Sequence, residues 1–258
     1  MFKEKYIKKY TLSIYRKRRN RSLFCIGVVI SLVVLFSIYY FIVRRGMLAG
    51  AEQQPKNALK VEETSIELYP VFCQVGSTNL FLSLPVEIFD VLGLGYHQAS
   101  EANAFELMPL GEEIKLSKGE KIVLKKNNEI NGLSYFIMFS RGRDTSPTSA
   151  ADIAVTPNTW IRSPIDGRVT KIKTYYLYDK FEDFHVEIEP LGHPELRLVL
   201  IHLDDLDVKE GDIVKDKETL LGKVRDFGQK FESQIERHIP KECDHVHLQV
   251  NKHVEGED

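Results

Sequence analysis

An uncharged segment of 21 residues, from Leu23 to Val43, restricts the possible folds of this chain more than any other part of its sequence. Roughly 20 apolar residues in an α-helix, at about 1.5 Å per residue, cross the hydrocarbon core of a bilayer. The sequence therefore predicts one transmembrane helix over residues 23–43. Tyr39 and Tyr40 lie near its end, where aromatic side chains favour the membrane interface.

Charge is divided unequally around this segment. Of the 35 basic residues, 24 follow Arg45, together with 36 of the 37 acids. Residues 1–22 contain one acid, Glu4, and nine basic residues: Lys3, Lys5, Lys8, Lys9, Arg16, Lys17, Arg18, Arg19 and Arg21. The positive-inside rule then makes residues 1–22 a cytoplasmic arm and places everything after the helix outside the cytoplasm. Cations beside a membrane span usually contact anionic lipid, so we expect no nucleic-acid partner.

A cleaved signal peptide is the alternative interpretation of this N-terminus, because Ala49-Gly50-Ala51 fits a cleavage motif. The apolar run is longer than the roughly 7–15 residues of a signal peptide, and Arg44 and Arg45 interrupt the approach to the motif. We therefore expect an uncleaved anchor and a single-pass protein of the cell membrane.

Three regions follow the anchor. Residues 46–64 are rich in Gly, Gln and Lys without apolar periodicity, which is typical of a flexible stalk. In residues 65–140, short apolar runs alternate with turn residues, which predicts a β-rich accessory region. Strand patterns become denser over residues 141–253. The predicted fold class is mainly β.

Two histidines share one predicted strand near the C-terminus, in the sequence His245-Val246-His247. Strand residues two apart point to the same face, about 6.6 Å apart along the strand. Both imidazoles then line one surface, while Val246, Leu248 and Val250 pack on the other. This pattern predicts a half-buried strand whose polar face borders a cleft.

Two further polar residues flank apolar runs. His202 ends the run Leu198-Val199-Leu200-Ile201, and Asp152 opens the run Ile153-Ala154-Val155. A buried histidine needs hydrogen-bond partners, and an aspartate at such a position often caps a turn. These residues therefore have ordinary structural roles open to them as well as chemical ones.

In order and spacing, these residues resemble the lysostaphin-type (LytM-like) zinc metallopeptidase domain. Its pattern is His-x-x-x-Asp, a central histidine after an aliphatic strand, and a final His-x-His. The resemblance runs from about Thr148 to Val250, and the glycine-containing stretches 163–169 and 208–222 support it. It implies an antiparallel two-sheet β domain of the duplicated hybrid motif.

The resemblance also implies roles for individual residues. Asp152 and His247 would bind zinc, while His202 and His245 would act on the attacking water and the oxyanion. The family's first ligand is a histidine four residues before the aspartate, where this chain has Thr148. A threonine hydroxyl is a poor zinc ligand, so the resemblance leaves zinc binding and catalysis open.

Two residues are candidates to replace the missing ligand. Cys243 lies two residues before His245, and His185 lies on the strand that precedes His202. Cys243 is equally compatible with a buried thiol or with a disulfide to Cys73. Residues 227–240, between the last two predicted strands, are interpreted as a solvated helical insertion or as a lid over the cleft.

Three functional hypotheses follow. The first is a membrane-anchored, degenerate cell-wall metallopeptidase homologue that binds a peptidoglycan peptide or an envelope protein. The second is an active zinc-dependent endopeptidase that cleaves peptidoglycan cross-links with a rearranged set of ligands. The third is a phosphoryl carrier, because His185 and His202 are similar to the histidine pair of the glucose-type IIA domain. That chemistry requires a cytoplasmic phosphodonor, which the charge pattern disfavours.

Overall fold

The computed structural model describes Ser37 and residues 67–117, 119–122, 132–177, 179–228 and 232–254. The predicted arm (1–22), stalk (46–64) and all of the predicted transmembrane helix except Ser37 lie outside these residues. Among the described residues, no helix has the length and apolar character needed to cross a membrane. The described strands all belong to one compact unit, Thr64–Asp258.

The described part of this unit is mainly β, as the sequence predicts. One short 3-10 helix, Glu236–His238, accompanies the strands. The strands are β1 (Val71–Val75), β2 (Phe81–Ser83), β3 (Gly93–His97), β4 (Leu107–Pro109), β5 (Glu112–Glu113), β6 (Ser134–Ile137), β7 (Ala150–Val155), β8 (Trp160–Arg162), β9 (Gly167–Leu177), β10 (Phe181–Pro190), β11 (Leu196–Asp204), β12 (Ile213–Val214), β13 (Leu220–Val224) and β14 (Asp244–Lys252).

The strands form a small sheet, with the order β2-β1-β4, and a large one, with the order β12-β9-β10-β11-β14-β7-β3-β6-β5. In addition, β13 pairs with β11 and β8 pairs with β13. The sheets are antiparallel except that β6 runs parallel to β3 and to β5. The described strands of residues 141–253 pair only antiparallel, as predicted, and the parallel pairs lie in the predicted accessory region. Parallel pairing needs a long crossover, which residues 98–133 provide between β3 and β6.

Strands from both sides of residue 140 share the large sheet. Strand β3, from the predicted accessory region, pairs along its length with β7, where Gly95 lies opposite Asp152. On its other side β7 pairs with β14. The boundary placed at residue 140 stays a prediction, but the pairing of β3 with β7 determines which residues reach the cleft.

Strand β14 shows the predicted alternation, with Val246, Leu248 and Val250 in the main hydrophobic core. His245 and His247 lie on the opposite face, but both are also buried, at 3% and 8% exposure. Strand β14 is thus more deeply buried than the half-buried strand that the sequence predicts. Arg141 and Gln234 are among the residues that line the cleft above this face.

A second, smaller hydrophobic cluster packs beside the first. It consists of Ile122, Phe136, Met138, Ala154, Ile235, Ile239 and Cys243. Ile235 and Ile239 come from the segment 227–240, and burial of these two side chains explains why its described residues 232–240 are not a solvated helix. Cys73 belongs to the main core and Cys243 to this second cluster, and both are free thiols.

Candidate metal centre

Three side chains from three adjacent strands converge at the centre of the large sheet. Asp152 on β7 lies directly opposite His247 on β14, and its Oδ1 atom is 2.8 Å from Nδ1 of His247. His97 ends strand β3, two residues after the one opposite Asp152. Its Nε2 atom is 3.0 Å from Oδ1 of Asp152 and 3.3 Å from Nδ1 of His247. The three potential ligand atoms therefore form a compact triangle.

His97 was not among the site residues predicted from sequence. The signal available was a histidine at the end of an apolar run, Gly93-Leu94-Gly95-Tyr96, but no local pattern indicates that this strand pairs with β7. Thr148, at the position of the family's first ligand, lies elsewhere, and its hydroxyl contacts Ser146 and the Glu106 carboxylate. A histidine from a distant part of the chain thus lies beside Asp152 and His247.

Hydrogen bonds outside the triangle orient both imidazoles. Nδ1 of His97 donates to the carbonyl oxygen of Gln98 at 2.9 Å, and Nε2 of His247 donates to Oε1 of Gln249 at 3.1 Å. Each ring proton is thereby placed on the outward nitrogen, and the inward nitrogen presents a lone pair. Two lone pairs and a carboxylate oxygen facing one another in a buried site repel unless a cation or a proton lies between them.

This donor set fits zinc. Zinc is bound by histidine nitrogen and carboxylate oxygen at about 2.0–2.2 Å, and separations of 2.8–3.3 Å between the three atoms suit bonds of that length. All three residues are buried and lie in one potential metal-binding group. The hydrogen bonds to Gln98 and Gln249 are the outer contacts that orient metal-binding histidines.

Asp152 carries the negative charge of the site. Burial alone would raise its pKa, but the surrounding imidazoles, which carry charge and donate hydrogen bonds to Asp152 only when their inward nitrogens are protonated, outweigh burial and hold that pKa well below its usual value. Burial lowers the pKa of His245 to about 3, more than the charge of Asp152 raises it. His245 is therefore neutral at pH 7, and its Nδ1 atom is buried with no hydrogen-bond partner among the described residues.

His202 lies beside His245 on the neighbouring strand, with their ring centroids 4.7 Å apart. Strict alternation would place His202 on the face of Leu198 and Leu200, in the core. Instead, the pairing of β10 with β11 shifts register at Phe184 and His185, and His202 has a φ of 68°. This bulge turns the imidazole into the cleft.

An open cleft of about 660 Å³ leads to these side chains. The floor of the cleft contains His202, His245 and the triad, which is the set His97, Asp152 and His247. Val199 and Ile201 lie beside them. Its rim is charged and includes Glu101, Arg141, Arg143, Glu232 and Arg237. Nη2 of Arg141 is 3.8 Å from Oδ2 of Asp152, so a positive charge lies next to the triad.

The structure places the two candidate replacement ligands away from the triangle. His185 lines the cleft on β10, and its Nε2 atom is 2.8 Å from Oε1 of Glu187. Cys243 is packed in the second cluster, where burial raises the pKa of its thiol to about 12. A protonated thiol is a poor ligand because zinc binds the thiolate.

The chain matches no family model and no curated protein sequence. Several solved structures are similar to it. Lysostaphin in solution is 16% identical, with 42% of this chain and 38% of that one covered at a TM-score of 0.31. LytU is 22% identical, with 45% of this chain and 70% of LytU covered at a TM-score of 0.33. Helicobacter pylori Csd3 is 22% identical, with 60% of this chain and 35% of Csd3 covered at a TM-score of 0.30. The match thus spans well under half of lysostaphin and of Csd3.

Proposed function

We propose that this protein is a zinc-dependent peptide hydrolase in which His97, Asp152 and His247 hold the metal. The observation that carries the proposal is the convergence of His97 Nε2, Asp152 Oδ1 and His247 Nδ1 within 3.3 Å of one another. Catalytic zinc sites have three protein ligands and keep one position for water. Bound zinc supplies a water of lowered pKa and polarises a carbonyl oxygen.

The other cleft histidines provide the proton chemistry. His245, neutral at pH 7, and His202 lie beside the triad, with their rings 4.7 Å apart. A neutral imidazole accepts a proton from water at one nitrogen, and the resulting imidazolium donates a hydrogen bond to a developing oxyanion. Action on the attacking water and on the oxyanion are the two roles that the family resemblance implies for His202 and His245.

We propose peptidoglycan peptide as the substrate and the outer side of the cell membrane as the site of action. Support comes from the lysostaphin-type motifs between Thr148 and Val250 and from the charge pattern around residues 23–43. Protease added to intact spheroplasts should therefore remove the unit Thr64–Asp258 and spare residues 1–22. Protection of that unit would contradict the proposed topology.

A degenerate homologue that binds peptide without cutting it is the second candidate. The observation that favours it is Thr148 at the position of the family's first ligand. The two candidates differ in zinc content, because the degenerate homologue has only Asp152 and His247 as ligands and the hydrolase has three.

Zinc analysis of the full chain in detergent separates these candidates. We expect one tightly bound zinc per chain in the wild type and in His193→Ala, whose imidazole contacts Glu195. His97→Ala, Asp152→Ala and His247→Ala should each lose it. Cys243→Ala should retain it. A wild type without zinc, or a His97→Ala variant that keeps full zinc, would overturn the proposed metal centre.

Hydrolysis is tested on purified peptidoglycan with the same proteins. The wild type should release peptide amino groups, a chelator should abolish the release, and added zinc should restore it. Zinc-loaded wild type that binds peptidoglycan without releasing amino groups would overturn the hydrolysis and leave only the metal centre of the first candidate.

A further inference from the structure

A buried carboxylate lies behind His202, on the side away from the triad. Asp183 on β10 is fully buried and lies opposite Tyr175 of β9. Its Oδ2 atom accepts hydrogen bonds from Nδ1 of His202 at 2.7 Å and from the Tyr175 hydroxyl at 2.5 Å. Its Oδ1 atom accepts from the backbone N–H of Phe184 at 2.9 Å. Both carboxylate oxygens are thus engaged by donors.

These contacts restrict His202 to one tautomer. An ionised carboxylate only accepts hydrogen bonds, so the His202 nitrogen that faces Asp183 must carry a proton. The proton on Nδ1 leaves Nε2 with a lone pair, and His202 lines the cleft. The same arrangement of carboxylate and imidazole orients the general base of other hydrolases.

Asp183 also compensates for the unusual backbone of His202. A non-glycine residue with φ of 68° is uncommon, and such strain persists only where surrounding contacts enforce it. The hydrogen bond from Nδ1 to Asp183 and the packing of Phe227 against the ring, with centroids 5.5 Å apart, hold the imidazole after the bulge has turned it.

We propose that Asp183 is a positioning residue that fixes His202 as the Nδ1–H tautomer, so that Nε2 serves as the proton acceptor and donor of the reaction. The proposal rests on the hydrolase function proposed above. As the water oxygen bonds to the peptide carbonyl carbon, Nε2 takes a proton from that water. When the C–N bond breaks, the same proton passes from Nε2 to the leaving nitrogen, and His202 returns to its starting state.

A purely structural ion pair is the competing role for Asp183. Arg225 is its nearest cation, but Nε of Arg225 is 3.5 Å from Oδ1, while Nη1 of Arg225 is 3.2 Å from Asp204. The shorter bonds come from the His202 ring, the Tyr175 hydroxyl and the Phe184 backbone. Burial and then the charge of Asp183 raise the pKa of Tyr175, so this residue stays a hydroxyl donor to the carboxylate. Asp183 is therefore placed to accept a hydrogen bond from His202 and to orient its ring.

The test combines NMR and kinetics on the full chain in detergent, labelled with ¹⁵N-histidine. His202→Gln identifies the His202 signals by their loss. Long-range ¹H–¹⁵N correlations should show a proton on Nδ1 of His202 in the wild type. In Asp183→Asn, whose amide NH₂ donates to Nδ1, the proton should move to Nε2. The same variant should lose at least about 100-fold in kcat, with KM and zinc content within twofold of the wild type.

Glu187→Gln is the matched control. It changes a second carboxylate on β10, partly exposed, that contacts a histidine, His185, and it should alter neither the His202 tautomer nor kcat. Tyr175→Phe removes the second donor to Asp183 and should keep the Nδ1–H tautomer. A loss of kcat in Glu187→Gln equal to that in Asp183→Asn would mean that any such change disturbs the sheet, and would overturn the specific role.

An Nε2–H tautomer in the wild type overturns the proposal, and this measurement stands even if Asp183→Asn does not fold. An unchanged kcat in a folded Asp183→Asn variant also overturns it. If the wild type hydrolyses nothing but shows the Nδ1–H tautomer and the variant reverses it, then the hydrolase function fails and the positioning by Asp183 holds.

Discussion

Two buried carboxyl groups near the cleft have opposite environments. Asp152 is surrounded by imidazoles, and its pKa lies well below the usual value despite burial. Asp244 begins β14 at 3% exposure, and burial followed by the charges of Glu236, Asp226 and Glu242 raises its pKa to about 7. The first stays ionised and suits a cation. The second opposes folding whenever it is ionised.

Asp244 should therefore make stability decrease as pH rises. The unfolded carboxyl, with a pKa of about 3.9, releases its proton before the folded one, at about 7, so each step between these values favours the unfolded chain. Relative to Asp244→Asn, the wild type should lose about 1–2 kcal/mol between pH 4 and pH 8, after allowance for solvent screening. Urea unfolding of residues 64–258 measures this difference, and parallel pH curves would contradict it.

Gln249 should affect zinc affinity without contacting the metal. Its Oε1 atom accepts the Nε2 proton of His247 and so keeps the lone pair on Nδ1. Gln249→Leu should weaken zinc binding by about 10- to 100-fold. Asn251→Ala is the control, because Asn251 contacts the amide nitrogen of Gln249 and not the imidazole. Competition with a zinc chelator measures both affinities, and equal values would contradict this role.

At the scale of elements, the turn into β9 depends on a glycine in one of the stretches that carry the family resemblance. A Cβ atom on Gly167 would lie 2.5 Å from the carbonyl oxygen of Glu189 and 2.7 Å from Cγ2 of Ile188. The carbonyl oxygen of Glu189 belongs to the backbone of the paired strand β10, so it cannot move away unless that strand moves too. The glycine is required by the close approach of two strands.

Gly167→Ala should lower the free energy of unfolding by about 1–3 kcal/mol, since the strands must separate to admit the methyl group. Gly192→Ala is a useful comparison, because a Cβ atom there meets nothing within 4 Å and the cost, about 1 kcal/mol, comes from its φ of +82°. Urea denaturation of residues 64–258 provides both values. A Gly167→Ala variant as stable as the wild type would refute the steric argument.

The sequence predicts elements better where their pattern is local. The alternation in β14 correctly predicts Val246, Leu248 and Val250 in the core. Alternation fails at His202, because the bulge opposite Phe184 and His185 depends on how two strands align. The interpretation of residues 227–240 as a solvated helix fails in their described part, where Ile235 and Ile239 are buried by a cluster that includes Ile122, Phe136 and Met138, all distant in sequence.

At the scale of the whole molecule, the proposed metal centre joins strands β3, β7 and β14. A ligand that binds only the folded chain adds to the free energy of unfolding, by about 2.7 kcal/mol when it is at 100 times its Kd. EDTA should therefore lower the Tm of the wild type, and zinc should restore it. His97→Ala should show the lower Tm with or without EDTA. A wild-type Tm that EDTA does not change would contradict a structural contribution from the metal.

The sequence alone was sufficient to indicate a mainly β fold and the short motifs that carry the lysostaphin-type resemblance. These properties depend on residues close together in the chain, whose spacing sets the face on which each side chain lies. Only the tertiary structure identified His97 as the third member of the triad, Asp183 as the partner of His202 and the burial of both His245 and His247. Each of these depends on which strands become neighbours, and strand pairing is a long-range property that no local spacing encodes.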